Sequence, residues 1–157
     1  MKNPPALTRL EIRYGDLDPY GHVNNAVYLE FFEKIRICYW RVLADMAGIE
    51  KLEVGDIPGA RYVIAETTVR YKAPIFFEDT LHGAGQMRTV GNRSYAMDFE
   101  LRTGETFGGG ALAAEGSAAH VFFDPLENTV QPRPDWFLPT VAELEGRPEA
   151  SFVPENH

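Results

Sequence analysis

This 157-residue sequence predicts an α+β fold in which one long helix covers one face of a curved antiparallel sheet. Three observations carry that expectation. Residues 24 to 47 contain no Gly or Pro and are apolar around most of a helical circumference, which marks a long, mostly buried helix. After it come four or so strand-like segments, joined by tight turns such as Gly91-Asn92 and Gly104-Glu105, the pattern of antiparallel neighbours. The composition, 45% hydrophobic and 12% aromatic, supplies enough apolar material for the core of one domain.

The elements follow in order. Leu10, Ile12 and Tyr14 alternate with Arg9, Glu11 and Arg13, a half-buried strand that stops at Gly15, and Asp18-Pro19-Tyr20-Gly21 turns the chain. In the helix Glu30, Glu33, Lys34, Arg41 and Asp45 share one stripe, and Gly48 is the expected stop; its length is roughly 35 Å at the standard rise per residue. Residues 52–59 read as a loop. Next, Val63, Ala65, Thr67, Val69 and Tyr71 share one face of a strand that Pro74 ends. Strands are expected at 81–90 and, by the alternation of Tyr95, Met97, Phe99 and Leu101 with polar residues, after Gly91-Asn92. The last strand, 107–123, is rich in Gly and Ala, which would let a helix lie close against the sheet. From these elements residues 1–124 form the domain. Residues 125–157 are a proline-rich tail, extended apart from a helical turn near 140–144, which packs down through Trp136, Phe137 and Leu138.

A formal net charge of −8 argues against a nucleic-acid or anionic-membrane surface, since both reward concentrated Lys and Arg. Cys38 is the only cysteine, so it forms no internal disulfide and reads as a small buried hydrophobe in a reducing cytoplasm. The opening Met1-Lys2-Asn3-Pro4-Pro5 has no signal-like apolar run, and no stretch reaches the length of a membrane span without charges.

The chemistry concentrates where the first strand meets the helix. A carboxylate delivered by a tight turn beside the free amides of a helix N-terminus places a nucleophile or base next to a site that stabilises negative charge, and acyl transfer needs both. Asp18 is that carboxylate, with capping of its own turn as the alternative role; Asp16 reads as a ligand for turn amides. His22 either moves a proton or bonds backbone within the turn, Asn24 reads as a cap, and Tyr28 lines a pocket or packs. A calcium loop is excluded, because Tyr20 and Val27 stand at the fifth and twelfth positions and Pro19 stiffens the turn. Arg70, Lys72, Arg88 and Arg93 are the candidates to hold phosphates of a pantetheine-bearing substrate in an otherwise acidic chain.

The run Tyr14-Gly15-Asp16-Leu17-Asp18-Pro19-Tyr20-Gly21-His22-Val23-Asn24-Asn25, followed by Tyr28, resembles the hotdog-fold thioesterases of the 4-hydroxybenzoyl-CoA thioesterase type. Val69-Arg70-Tyr71-Lys72-Ala73-Pro74, with Asp79 beyond it, resembles that family's second strand and exit turn. The resemblance covers about residues 7 to 124, and its Asp-x-Asp-Pro-x-Gly core is the specific part. It implies a hotdog fold, an antiparallel sheet wrapped around one long central helix, and homodimers that join edge strands, often paired into a homotetramer. It also implies hydrolysis of an acyl-CoA or acyl-carrier-protein thioester with no metal or redox cofactor. By position, Asp18 takes the role of nucleophile or general base, Asn25 that of the amide polarising the carbonyl, and Tyr14 that of the tyrosine preceding the aspartate. A non-catalytic acyl-thioester-binding or regulatory protein on the same scaffold is the rival from another class, with a hydratase behind it. A DNA-binding regulator is excluded by charge and by the lack of a helix-turn-helix before residue 7.

Overall fold

The computed structural model of the chain describes residues 1–50 and 56–155. Its main elements are, in order, β1 (Ala6–Leu10), α1 (Val27–Ala47), β2 (Tyr62–Tyr71), β3 (Leu81–Val90), β4 (Ser94–Thr103), β5 (Ala111–Asp124), β6 (Thr129–Val130) and α2 (Phe137–Glu145), with short 3-10 turns at Tyr14–Asp16 and Glu149–Ser151. The strands lie in the order β1-β3-β4-β5-β2, antiparallel at every pairing, with β6 added to the end of β5. This is the expected hotdog arrangement, with α1 seated in the sheet.

Helix α1 buries Tyr28, Phe31, Phe32, Ile35, Tyr39, Trp40 and Leu43, the three-and-four spacing of a helix that gives one stripe to a core. Gly48, left-handed at φ 69°, stops it as expected. The sheet admits the helix closely because small residues face it. A Cβ at Gly83 would lie 2.7 Å from Ile35, and one at Gly116 would lie 2.5 Å from the Phe32 ring, which itself stacks on Phe99 with centroids 4.8 Å apart. Tyr95, Met97, Phe99 and Leu101 of β4 point inward as their alternation predicts.

Several expectations need correction. The first strand is Ala6–Leu10 and not the segment reaching Tyr14, because the Asp16 carboxylate accepts the Arg13 amide at 2.8 Å and coils the chain into a turn there. The last strand begins at Ala111, four residues late, since Gly110 donates back to the Phe107 carbonyl and closes a turn. The tail contains a full helix, α2, whose Phe137 is buried and stacks on Trp40 at 5.1 Å. Pro139 fits that helix because in the first turn its missing amide costs no bond. Cys38 is only half-buried, with burial raising its thiol above the usual range. Of the expected loop at 52–59, residues 52–55 lie outside the described residues.

Two further features bear on function. Strand β2 is an edge strand with large apolar residues exposed on it, Val63 and Ile64 among them, and a bulge between Ile64 and Glu66. Beneath the sheet, Arg36 of α1 is 2% exposed and donates through Nε to Nε2 of the fully buried His120 at 2.7 Å. Among the described residues no helix is long and apolar enough to cross a membrane.

Candidate active site

The turn after β1 is tied together by its own backbone. Asp18 donates to the His22 carbonyl at 2.7 Å, Gly21 donates to the Asp18 carbonyl at 3.1 Å, and Leu17 bridges Val23. Gly21 sits at φ 82°, a left-handed position that suits glycine. Two bonds then dock the turn to its surroundings. Val23 donates to the Ile75 carbonyl at 2.8 Å, and Asn24 donates to the Asp16 carbonyl at 2.8 Å. The segment 73–80 is thereby held beside the start of α1, itself pinned where Phe76 donates to the Asp79 carboxylate.

Asp16 and Asp18 have different surroundings. Asp16 is 3% exposed, and its carboxylate is taken up by the Arg13 amide and guanidinium; burial works to raise its pKa, but the Arg13 contacts outweigh it and hold the group below the usual carboxylate range. Its expected role as a turn ligand is therefore what the geometry has. Asp18, half-buried, instead lines an open cleft of about 240 Å³ together with His22, Val23, Asn25, Tyr28, Tyr71, Lys72, Ala73 and Pro74. Its Oδ1 accepts the amides of Tyr20 at 2.9 Å and His22 at 3.1 Å, and Oδ2 accepts none from the described residues. The carboxylate is thus both a turn cap and a cleft residue: one oxygen fixes its direction and the other is left for a ligand.

The helix start faces the same cleft. Helix α1 begins at Val27, with Ala26 as its cap residue and no side-chain bond from it; the Asn24 side chain instead accepts the Ala26 amide at 3.0 Å. Asn25 is thereby presented at the mouth, exposed, beside the positive end of the helix dipole. Tyr28 forms the floor. Its hydroxyl pKa is pushed up to about 12 by burial, assisted by the neighbouring Tyr71, so it stays a neutral hydrogen-bond donor through the physiological range.

The remaining candidates separate. His22 lines the cleft, bonds the turn through its backbone, and sets its ring edge-on to Phe76 at 5.2 Å. Tyr14 is 81% exposed, lies edge-on to Phe77 at 6.1 Å, and is absent from the cleft lining. Only two of the four candidate cations converge, Arg70 and Lys72, which reach the same Glu115 oxygen at 3.8 and 3.7 Å. Lys72 lines the cleft and reaches Glu115 at 3.7 Å; Arg70 and Arg88 lie in a shallow basin on the outer face of the sheet, paired with Glu115 and Asp98. Arg93, in the turn between β3 and β4, is at the opposite end of the strands from Lys72. Tyr71 joins the site without having been singled out for it. Its hydroxyl donates to the Asn25 carbonyl at 3.1 Å, a contact that a period-two reading of a strand end does not reveal.

The comparisons with known proteins bear on this turn, cleft and helix start. The sequence pattern of the thioesterase-like superfamily matches residues 12–141, most of the chain. The chain belongs to that superfamily. Among individual relatives, it is 30% identical over 87 residues to the long-chain acyl-CoA thioesterase FadM of Escherichia coli (strain K12), a stretch that spans 55% of this chain and 61% of that relative's length. A thioesterase from Thermus thermophilus, solved in complex with coenzyme A and Zn, is 28% identical with a TM-score of 0.73, covering 94% of this chain and 99% of its own. The 1,4-dihydroxy-2-naphthoyl-CoA thioesterase of Synechocystis shares the fold at 14% identity, with a TM-score of 0.70 and coverage of 89% and 97%.

Proposed function

We propose that this superfamily member hydrolyses acyl-CoA thioesters in the cleft at the start of α1, with Asp18 as the reacting group. The observation that carries the reading is the place of Asp18: one carboxylate oxygen is held by two turn amides, the other accepts no bond from the described residues, and the residue lines a cleft shared with Asn25 and Tyr28. A thioester carbonyl in that cleft meets donors where negative charge develops, the Asn25 amide and the helix N-terminus, a contribution of several kcal/mol on the usual scale of oxyanion stabilisation. Asp18 then acts in one of two balanced ways. Its free oxygen adds to the carbonyl carbon, the thiolate leaves, and water hydrolyses the resulting mixed anhydride; or it takes a proton from water as that water adds, and the thiolate leaves with the acyl group released as carboxylate. A thiolate needs little acid assistance in either route.

Coenzyme A as the carrier is supported by the names of the relatives, and Lys72 is the cation best placed to meet its phosphates. Arg70, which shares the Glu115 carboxylate with Lys72, can join it at a phosphate, while Arg88, paired with Asp98, and Arg93, at the other end of the strands, are assigned to other surfaces or to contacts made in an assembly. His22 and Tyr14 take supporting places around the turn. The long, apolar edge strand β2 ends at the cleft, and a second copy pairing along it would remove an exposed edge and enclose the site; we infer a homodimer of this kind, as the building block of any tetramer. The domain of 1–124 with a tail packed on it is retained in this reading, as is a cytoplasmic setting for the single cysteine.

The test is a panel of acyl-CoA and acyl-carrier-protein thioesters followed with a thiol-reactive dye. Release of free thiol from acyl-CoA is the expected result. Tight binding of acyl-CoA with no release across the panel would favour the non-catalytic binding protein. In a single turnover in ¹⁸O-water, label in the Asp18 carboxyl group establishes nucleophilic attack with the anhydride opened at Asp18, whereas direct attack of water on the thioester puts the label only in the released acid, as does opening of the anhydride at its acyl carbon.

A further inference from the structure

We propose that Tyr71 is a positioning residue for the reaction, which acts by fixing the Asn25 peptide so that the Asn25 side chain is aimed at the substrate carbonyl. The inference rests on the functional reading above and deepens it.

The start of α1 lacks the usual fastening. Ala26 at the cap position offers no side-chain acceptor, and helix starts without one fray readily. Four bonds replace it. The Asn24 amide is held by the Asp16 carbonyl, the Asn24 carbonyl accepts the Val27 amide at 3.0 Å, the Asn24 side chain holds the Ala26 amide, and the Tyr71 hydroxyl donates to the Asn25 carbonyl across a sequence separation of 46 residues. The first three bonds flank residue 25; the last is the one that holds its own carbonyl. Tyr71 is suited to this because its ring is itself located, edge-on to the buried Tyr28 ring at 4.8 Å, although the residue is 49% exposed. It stands at the last position of edge strand β2, whose partner β5 pairs Tyr71 with Ala114. The sheet edge is therefore tied to the one peptide whose side chain is assigned to the oxyanion. An exposed half of the ring also forms part of the cleft wall, yet the hydroxyl is engaged by protein and is not free for substrate.

Such a role has a distinct kinetic signature. Loss of the hydroxyl leaves the ring wall and substrate binding in place but lets Asn25 wander, which weakens an interaction made in the transition state and not in the ground state. Tyr71→Phe is therefore expected to lower kcat about tenfold, the scale of one hydrogen bond's worth of aim, with KM for the best acyl-CoA of the panel changed less than twofold. The deciding measurement is a double-mutant cycle with Asn25→Ala. With the side chain gone there is nothing to aim, so Tyr71→Phe should cause no further loss of kcat in that background. Wild-type kcat in Tyr71→Phe, or an equal fold-loss with and without the Asn25 side chain, overturns the proposal. Failure of the underlying reading looks different: Asn25→Ala alone would then retain full kcat. Urea midpoints of each variant, expected to stay close to wild type, exclude simple unfolding as the cause.

Discussion

Two aspartates two residues apart divide a structural and a chemical task, and the division follows from what each oxygen touches. Asp16 spends both oxygens on Arg13, whereas Asp18 spends one on its own turn. Replacing Asp16 by Asn removes the charge from a buried, doubly bonded group and should lower stability by about 1–3 kcal/mol, read as a shift in urea midpoint. An unchanged midpoint would mean that the Arg13 contacts add nothing net. The motif itself was legible in the sequence because Asp, Pro and Gly at those spacings are the chemistry of a tight turn. The bonding of each side chain was not, since it is decided by Arg13 for Asp16 and by the Tyr20 and His22 amides for Asp18. Tyr71 and the burial of Arg36 were hidden for the same reason: both depend on partners 46 and 84 residues away.

Strand β4 was legible from its alternation, because a strand with one face in a core must repeat every second position, and β3 spans 81–90 as expected although a bulge between Met87 and Thr89 interrupts its pattern. Legibility failed where a local bond overrode the pattern, at the Asp16 turn and the Phe107–Gly110 turn, and where prolines hid a short helix, at α2. The small residues of the last strand were read correctly as room for a helix, and Gly116 shows how little room is left: an added Cβ would stand 2.4 Å from the Thr68 carbonyl oxygen and 2.5 Å from Phe32. Gly116→Ala is accordingly expected to cost about 1–3 kcal/mol by forcing β2 or Phe32 to move, measured by chemical unfolding. A stability equal to wild type would show that helix and sheet are less closely seated than described.

At the scale of the whole molecule, the sheet closes over a cation that has no carboxylate partner among its described contacts. Arg36 is accommodated by neutral His120, whose Nδ1 faces the Tyr95 carbonyl at 3.3 Å, and by the Phe99 ring at 5.6 Å. Burial first, then the nearby Arg36 charge, lower the His120 pKa from 6.5 to about 3. The unfolded chain therefore binds a proton below pH 6.5 that the folded protein refuses until about pH 3. Stability from this group is complete above pH 6.5 and declines as the pH falls from there towards 3, by about 1.4 kcal/mol per unit once below 6.5. Between about pH 7 and pH 5 the loss attributable to His120 is about 2 kcal/mol. His120→Gln, which keeps an acceptor for Arg36 without a titrating group, should remove that part of the pH dependence, as followed by urea midpoints. A slope identical to wild type would place the acid sensitivity elsewhere.

The central claim, that the free oxygen of Asp18 does the chemistry, is tested most directly by kcat of Asp18→Asn on the best acyl-CoA substrate. An asparagine keeps the acceptor that caps the Tyr20 and His22 amides, so the turn and the urea midpoint should be preserved while kcat falls by at least about a thousandfold. A folded Asp18→Asn protein that turns over at the wild-type rate would contradict the account.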